Sequence, residues 1–278
     1  MLILTLASAL LLCFVVRRPV AKATEPAPVG PGVSVVTLNM AKETSVQKIF
    51  REFDANPALR DADVLLLQEV KQQDGERQCV AEQLAAHLGL HVAYSPAETG
   101  VTDQGLAILS RFPLRDVQTR ALKRYDLRFR SRSRMALSAT ADSPSGPIRI
   151  FNTHLDTRLN TRERLEQLDP VIRECAASTG AHIVGGDFNS NDFRWIGHVL
   201  PAPAFRSQAA GVEDFMTRQG FHTALSAATP TFDYLGMHLD WIWLRDLEPR
   251  ASRVYPLDFS DHHAVWTRVE FTPPRPRG

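Results

Sequence analysis

The apolar residues of this chain come in short, β-branched runs, and that spacing constrains the fold more than any other feature. Val33–Leu38, Val64–Leu67, Ala107–Leu109, Met135–Thr140, Ile148–Asn152 and Ile183–Val184 read as strands separated by amphipathic segments. Trp241–Leu244, Arg253–Tyr255 and Ala264–Val269 continue the pattern with no long helix between them. Helices are expected at Ser45–Phe53, Cys79–His87 and Thr161–Ala177, the second closed by Gly89 and the third bent or interrupted at Pro170. Strands joined by helices in some places and hairpins in others imply an α/β domain in which a mixed sheet packs on a second sheet, not a parallel barrel.

These runs deliver polar side chains where the backbone leaves the core. Asn39, Glu69, His154 with Asp156, and Asp187 with Asn189 follow strands, while Asp240 and the pair Asp261-His262 precede them. Rigid strands with carboxylates, carboxamides and imidazoles at their exits converge side chains on one point.

Each motif also has a plain structural explanation. Gly185-Gly186-Asp187-Phe188-Asn189-Ser190 combines close backbone approach with an oxygen suited to a hard cation and a carboxamide for a phosphate oxygen, yet these are also turn residues. Ser260-Asp261-His262-His263 places an acid beside an imidazole at a strand start, which suits proton transfer from water or a solvated turn equally. Asp240 is placed to fix the tautomer of His262. Gln68-Glu69 and Leu38-Asn39 taken singly are ordinary strand ends. Asn152-Thr153-His154-Leu155-Asp156 is stronger, because a histidine and then an acid at a buried strand exit have little structural purpose, and His154 suits a phosphate oxygen.

Together, in this order, Thr37-Leu38-Asn39, Gln68-Glu69, Gly105 to Arg111, Asn152-Thr153-His154, Gly186-Asp187-Phe188-Asn189, Leu239-Asp240 and Ser260-Asp261-His262 resemble the endonuclease/exonuclease/phosphatase superfamily from about Val35 to Val269. The resemblance implies a four-layer α/β sandwich of two facing mixed β-sheets flanked by helices, with the active site at one edge. It implies Glu69 as principal ligand of Mg²⁺, or of Mn²⁺, with Asn39 and Asp261 near the same ion. It further implies Asp187 and Asn189 orienting nucleophile and phosphate, His154 on the phosphate, His262 as catalytic histidine and Asp240 as its orienting carboxylate. The expected enzyme is a metal-dependent phosphoester hydrolase, with either His262 or Asp187 activating the water.

Composition bears on the substrate. Lys plus Arg number 32 against 31 Asp plus Glu in 278 residues, a net charge of +1 that excludes a uniformly basic surface. Residues 111 to 134 nevertheless carry nine basic side chains against Asp116 and Asp126. From this stretch Arg132 and Arg134 are expected to bind substrate, with Tyr125 as a stacking surface, although alternating arginines also suit a solvated strand face. The paired Trp and Cys signatures of inositol 5-phosphatases and the paired cysteines of secreted deoxyribonuclease I are not apparent. The segment after Asp187 reads as short loops with little room for added recognition elements. A nuclease-like phosphodiesterase is expected first, a sphingomyelinase-like or other phospholipid phosphodiesterase second, and a non-catalytic membrane-tethered binding protein third.

The three cysteines, Cys13, Cys79 and Cys175, form no CxxC pair, which argues against a disulfide framework or a structural zinc site. Met1 to Val16 is an uncharged Leu-rich run followed by Arg17 and Arg18. As a helix it reaches about 24 Å, short of a full bilayer span. Residues 1–23 read as a signal peptide, with Ala21-Lys22-Ala23 as its cleavage pattern, or as an uncleaved membrane anchor. Residues 24–32 read as a Pro/Gly-rich linker, 33–271 as the catalytic domain and 272–278 as a tail. A monomer, exported or held at the membrane of the cell envelope, is expected.

Overall fold

The computed structural model describes residues 32–72, 77–96, 105–128 and 132–272, so the N-terminal segment assigned to export or anchoring lies outside the described residues. The strands are β1 (Val33–Asn39), β2 (Val64–Val70), β3 (His91–Ser95), β4 (Gly105–Ser110), β5 (Leu114–Ala121), β6 (Met135–Ser143) and β7 (Gly146–His154). They continue with β8 (Ala181–Asp187), β9 (Phe193–Ile196), β10 (Leu200–Pro203), β11 (Asp240–Arg245), β12 (Leu247–Tyr255) and β13 (Ala264–Phe271). The helices are α1 (Val46–Ala55), α2 (Pro57–Arg60), α3 (Val80–Leu88), α4 (Thr161–Ala176) and α5 (Gln208–Arg218).

A six-stranded sheet in the order β12-β13-β1-β2-β4-β3 faces a five-stranded sheet in the order β11-β8-β7-β6-β5. The period-two alternation of the strands builds three separate cores. Val35, Leu66 and Ile108 of the first sheet meet Ile150, Ile183 and Ile242 of the second between the sheets. Leu38, Leu65 and Leu67 turn the other way, onto Ile49, Phe53 and Leu84 of α1 and α3. On the far side Phe151, Val184, Trp241 and Trp243 pack against Leu168 and Val171 of α4 and Val212 and Met216 of α5. The result is the four-layer sandwich that the resemblance implied.

Two predicted details differ. Helix α4 runs unbroken through Pro170, which is half-exposed, so water can serve the carbonyl four residues earlier that loses its partner. The segment after Asp187 is more than short loops, because it holds the β9–β10 hairpin and α5.

Topology explains where the site must lie. Each sheet contains one parallel pair, β1 with β2 and β7 with β8, and all other pairings are antiparallel. The carboxyl ends of both parallel pairs open at the same edge of the sandwich, and the amino ends of antiparallel β11 and β13 come alongside them. Six strand ends therefore converge on one crevice, the usual location of a ligand site in an α/β sheet.

Candidate active site

The registers bring three side chains of the second sheet into one row. His154 of β7 lies opposite Asp187 of β8, and Asp187 lies opposite Asp240 of β11. Gly186 permits this close arrangement: its φ is +130°, and a Cβ there would stand 1.9 Å from the carbonyl oxygen of Thr153.

Asp187 is the hub of the site. Its Oδ2 accepts from Asn39 Nδ2 at 2.9 Å and its Oδ1 from the Asn189 backbone N–H at 2.8 Å. His154 Nε2 stands 3.3 Å and His262 Nε2 3.8 Å from Oδ2. The other ring nitrogen of His262, Nδ1, lies 2.9 Å from Asp240 Oδ2. Asp240 is held in turn by the Thr231 hydroxyl, which donates to it at 2.8 Å and accepts from the Leu239 and Asp240 backbone N–H groups. The Ser260 hydroxyl donates to the carbonyl oxygen of Asn39 at 2.7 Å and accepts from the His262 N–H, which ties β13 to β1 at the site.

Burial and neighbouring charge set the protonation states. Burial pushes Asp187 up to about 6, against the lowering effect of His262. Burial alone would lower His262, but the carboxylates of Asp240 and then Asp187 outweigh it and raise the imidazole to about 10. Burial, followed by the charges of Arg134, His262 and Arg132, holds His154 well below 6.5 and therefore neutral.

The first sheet supplies the opposite side. A bulge between Leu67 and Val70 sets two residues of β2 against one of β4, and within it Glu69 takes φ +53°. Ala41, Lys42 and Asn189, which line the same cavity, also have positive φ. Such strained non-glycine backbones gather where a site fixes side-chain direction. Behind Glu69, Gln68 Nε2 donates to Asn152 Oδ1 at 2.8 Å, and Asn152 Nδ2 donates to the carbonyls of Leu67 and Ala107. This buried amide pair joins the two sheets directly beneath the crevice.

The cavity, of about 430 Å³, is lined by Asn39, Glu69, His154, Asp187, Asn189, Asp261 and His262. With Asp240 behind His262, every predicted catalytic and metal-binding residue is brought together. The donor chemistry fits a hard cation, since Glu69, Asn39 and Asp261 offer oxygen atoms at the cavity wall. Ligand atoms of Asp187, Asp240 and His262 also lie within 4.8 Å of one another and are able to hold a metal. Asp240 and His262 already satisfy each other, so the oxygen set around Glu69 is the more available of the two.

Sequence reasoning missed the wall. Lys42, whose ammonium is 3.7 Å from Glu69, and Phe193, Trp195, Phe232 and Tyr234 all line the cavity. It also missed Arg164, which is fully buried and donates to the carbonyls of Asp156, Leu159 and Phe188, fixing the loops after β7 and β8.

Other expectations are corrected. Asp156 has a structural purpose: it is buried, it receives Arg134 Nε at 2.9 Å, and it accepts from Gln167 Nε2. Tyr125 does not reach the cavity, because its hydroxyl donates to α4 at the Glu163 carbonyl and the Glu166 carboxylate. Much of the basic run is paired with acids from elsewhere in the chain: Arg111 with Asp63, Arg115 with Asp142, Arg120 with Glu174 and Lys123 with Glu166. Arg132 and Arg134 do lie beside the site, lining a second cavity that meets the first at Thr157 and Trp195. Cys79 and Cys175 are buried free thiols.

A buried His–Asp pair beside a second aspartate, at the convergent ends of two facing mixed sheets, suits the hydrolysis of a phosphoester. The chain belongs to the Endonuclease/Exonuclease/phosphatase family, whose model matches residues 36–262. Its fold is similar to that of an endonuclease/exonuclease/phosphatase from Beutenbergia cavernae DSM 12333, with TM-score 0.68 and 17% identity over 87% of this chain and 72% of that one. It is also similar to ANGEL2, a 2',3'-cyclic phosphatase, with TM-score 0.64 and 17% identity over 87% and 96% of the two chains. The human Nocturnin catalytic domain with bound sulfate gives TM-score 0.63 and 19% identity over 88% and 97%. No curated protein matches the sequence.

Proposed function

We propose that this enzyme is a phosphodiesterase that cleaves nucleic acid with Mg²⁺, or Mn²⁺ in its place, by in-line attack of an activated water. The observation that carries the proposal is the row His154, Asp187, Asp240 with His262 bonded across it, walled by Lys42 and the rings of Phe193, Trp195, Phe232 and Tyr234, with the arginines of a second cavity alongside. Asp187, raised to about 6, is ionised at neutral pH yet basic enough to take the proton of a water in the cavity. His262 keeps its proton under the influence of Asp240 and presents a positive charge to the phosphate and to the departing oxygen. Asn189 and neutral His154 orient the phosphate, and Asn39 holds Asp187 in place. The cation, held by Glu69, Asn39 and Asp261, would neutralise charge on the phosphate.

A second reading, hydrolysis of a phospholipid, is favoured by one observation. Ile196 and Leu200 on the β9–β10 hairpin, Phe205 after it, and Leu235 beside the cavity-lining Tyr234 are all exposed, and apolar side chains left in water suit a lipid surface. No helix among the described residues is long and apolar enough to cross a membrane. We assign export or anchoring at the cell envelope to the N-terminal apolar run, and a monomer as the working form.

The test is to offer the full chain single-stranded and duplex DNA, RNA, and vesicles of sphingomyelin or phosphatidylcholine, each with Mg²⁺. Nucleic-acid cleavage whose KM rises steeply with added salt supports the first reading. Release of headgroup without cleavage of any nucleic acid reverses the order.

A further inference from the structure

The second cavity, of about 300 Å³, opens beside the active site and is lined by Leu127, Arg132, Arg134, Asp156, Thr157, Arg158 and Trp195. Three guanidinium groups face a single carboxylate there, so the cavity is cationic. Asp156 forms a buried pair with Arg134 through Oδ1 and accepts from Gln167 Nε2 through Oδ2. Arg134 is itself only 7% exposed, a buried cation fixed in direction by that pair. Arg158 is steadied by donating to the carbonyl of Leu127 at 3.0 Å.

The partition between the two cavities is built as carefully as the floor of the first. The backbone N–H of Trp195 donates to Asn160 Oδ1 at 2.8 Å and its carbonyl accepts from Asn160 Nδ2 at 3.0 Å. Its indole N–H donates to Asn191 Oδ1, and Asn191 Nδ2 donates to the carbonyl of Thr157, the other residue shared by both cavities. An aromatic ring held in this way between an acid–base site and an arginine cavity suits a base or sugar lying between two phosphates.

We infer that the arginine cavity is a second phosphate subsite, which takes the phosphate one linkage away from the scissile one and selects substrates carrying at least two phosphates along one strand. This rests on the nucleic-acid reading above. It concerns substrate selection and leaves the hydrolytic chemistry to the first cavity.

The test compares kcat/KM for the dinucleotide TpT, which has only the scissile phosphate, with pTpT and TpTp, which add one at either end. One of the phosphorylated forms is expected to be preferred at least tenfold over TpT by the wild-type chain. In Arg158→Gln that preference should fall to below threefold, and in the Arg132→Gln, Arg158→Gln double variant to below twofold. The salt dependence of KM for the preferred form should weaken in each variant. Equal cleavage of TpT, pTpT and TpTp by wild-type protein overturns the inference and leaves the nuclease reading standing. A wild-type preference that survives in the folded double variant overturns it as well. Failure to cleave any dinucleotide or longer nucleic acid, with phospholipid turnover intact, overturns the nuclease reading and this inference with it. If the double variant does not fold, Arg158→Gln alone carries the comparison, and a preference that it leaves at the wild-type level overturns the inference.

Discussion

The floor of the cavity consists of charged and amide groups that bond to one another, whereas its wall is largely aromatic, formed by Phe193, Trp195, Phe232 and Tyr234. On the floor, Asp187, His262, Asp240 and Asn39 are each within hydrogen-bonding or ion-pair reach of another member, and all are buried. On the wall, Trp195 is secured by Asn160 and Asn191, and Tyr234 is about half exposed. The difference separates two tasks. On the proposed function, preorganised charge on the floor would do the chemistry and the wall would set what reaches it.

If that division holds, damage to the floor reduces kcat and damage to the wall raises KM. Removal of divalent metal with EDTA has the largest expected effect: turnover falls more than a thousandfold, returns with added Mg²⁺, and leaves the far-UV circular dichroism unchanged. Asp187→Asn is expected to lower kcat about 10³-fold with the melting temperature within a few degrees of wild type. Asp240→Asn should cost about 10²-fold in kcat, because the amide neither orients His262 nor sustains its positive charge. Trp195→Ala belongs to the wall, so KM for oligonucleotides should rise about tenfold while kcat changes less than twofold. A fall in kcat as large as that of Asp240→Asn would erase the distinction between floor and wall.

The smallest effect on activity is expected at His238, which packs edge-on against Trp241 beside Asp240 and bonds through Nδ1 to the carbonyl of Thr229. Burial lowers its pKa from 6.5 to about 4. In this range the unfolded chain binds the proton and the folded chain does not. Stability from this group is therefore complete above pH 6.5 and is lost as the pH falls towards 4. Between pH 7 and pH 4.5, His238→Asn should lose about 2 kcal/mol less stability than wild type in urea titrations. Equal losses would show that the ring is accessible to protons in the folded state.

The floor was legible in the sequence because its residues sit at the ends of regular strands, where an apolar run marks the core and the next polar residue marks its edge. The parallel pairs β1–β2 and β7–β8 then carry Asn39, Glu69, His154 and Asp187 to one side with no further information needed. The wall was not legible, because β9 and β10 are four residues each and their pairing is set by long-range bonds such as Asn160 to Trp195. The part of the basic run from Arg111 to Lys123 was misjudged for the same reason. Its charge is visible locally, but the acids that pair with it, Glu166 and Glu174 of α4 and Asp142 of β6, arrive only when the chain folds. Asp156 looked functional because its partners Arg134 and Gln167 lie on other elements.

The proposed role of the floor around Asp187 is hydrolysis of the phosphodiesters of nucleic acid. Its most direct test is cleavage of an end-labelled single-stranded oligonucleotide by the full chain in H₂¹⁸O with Mg²⁺, run beside Asp187→Asn. Wild type should give fragments carrying one ¹⁸O on the newly formed phosphate about 10³-fold faster than the variant. No cleavage by wild type, or equal cleavage by the folded variant, would contradict it.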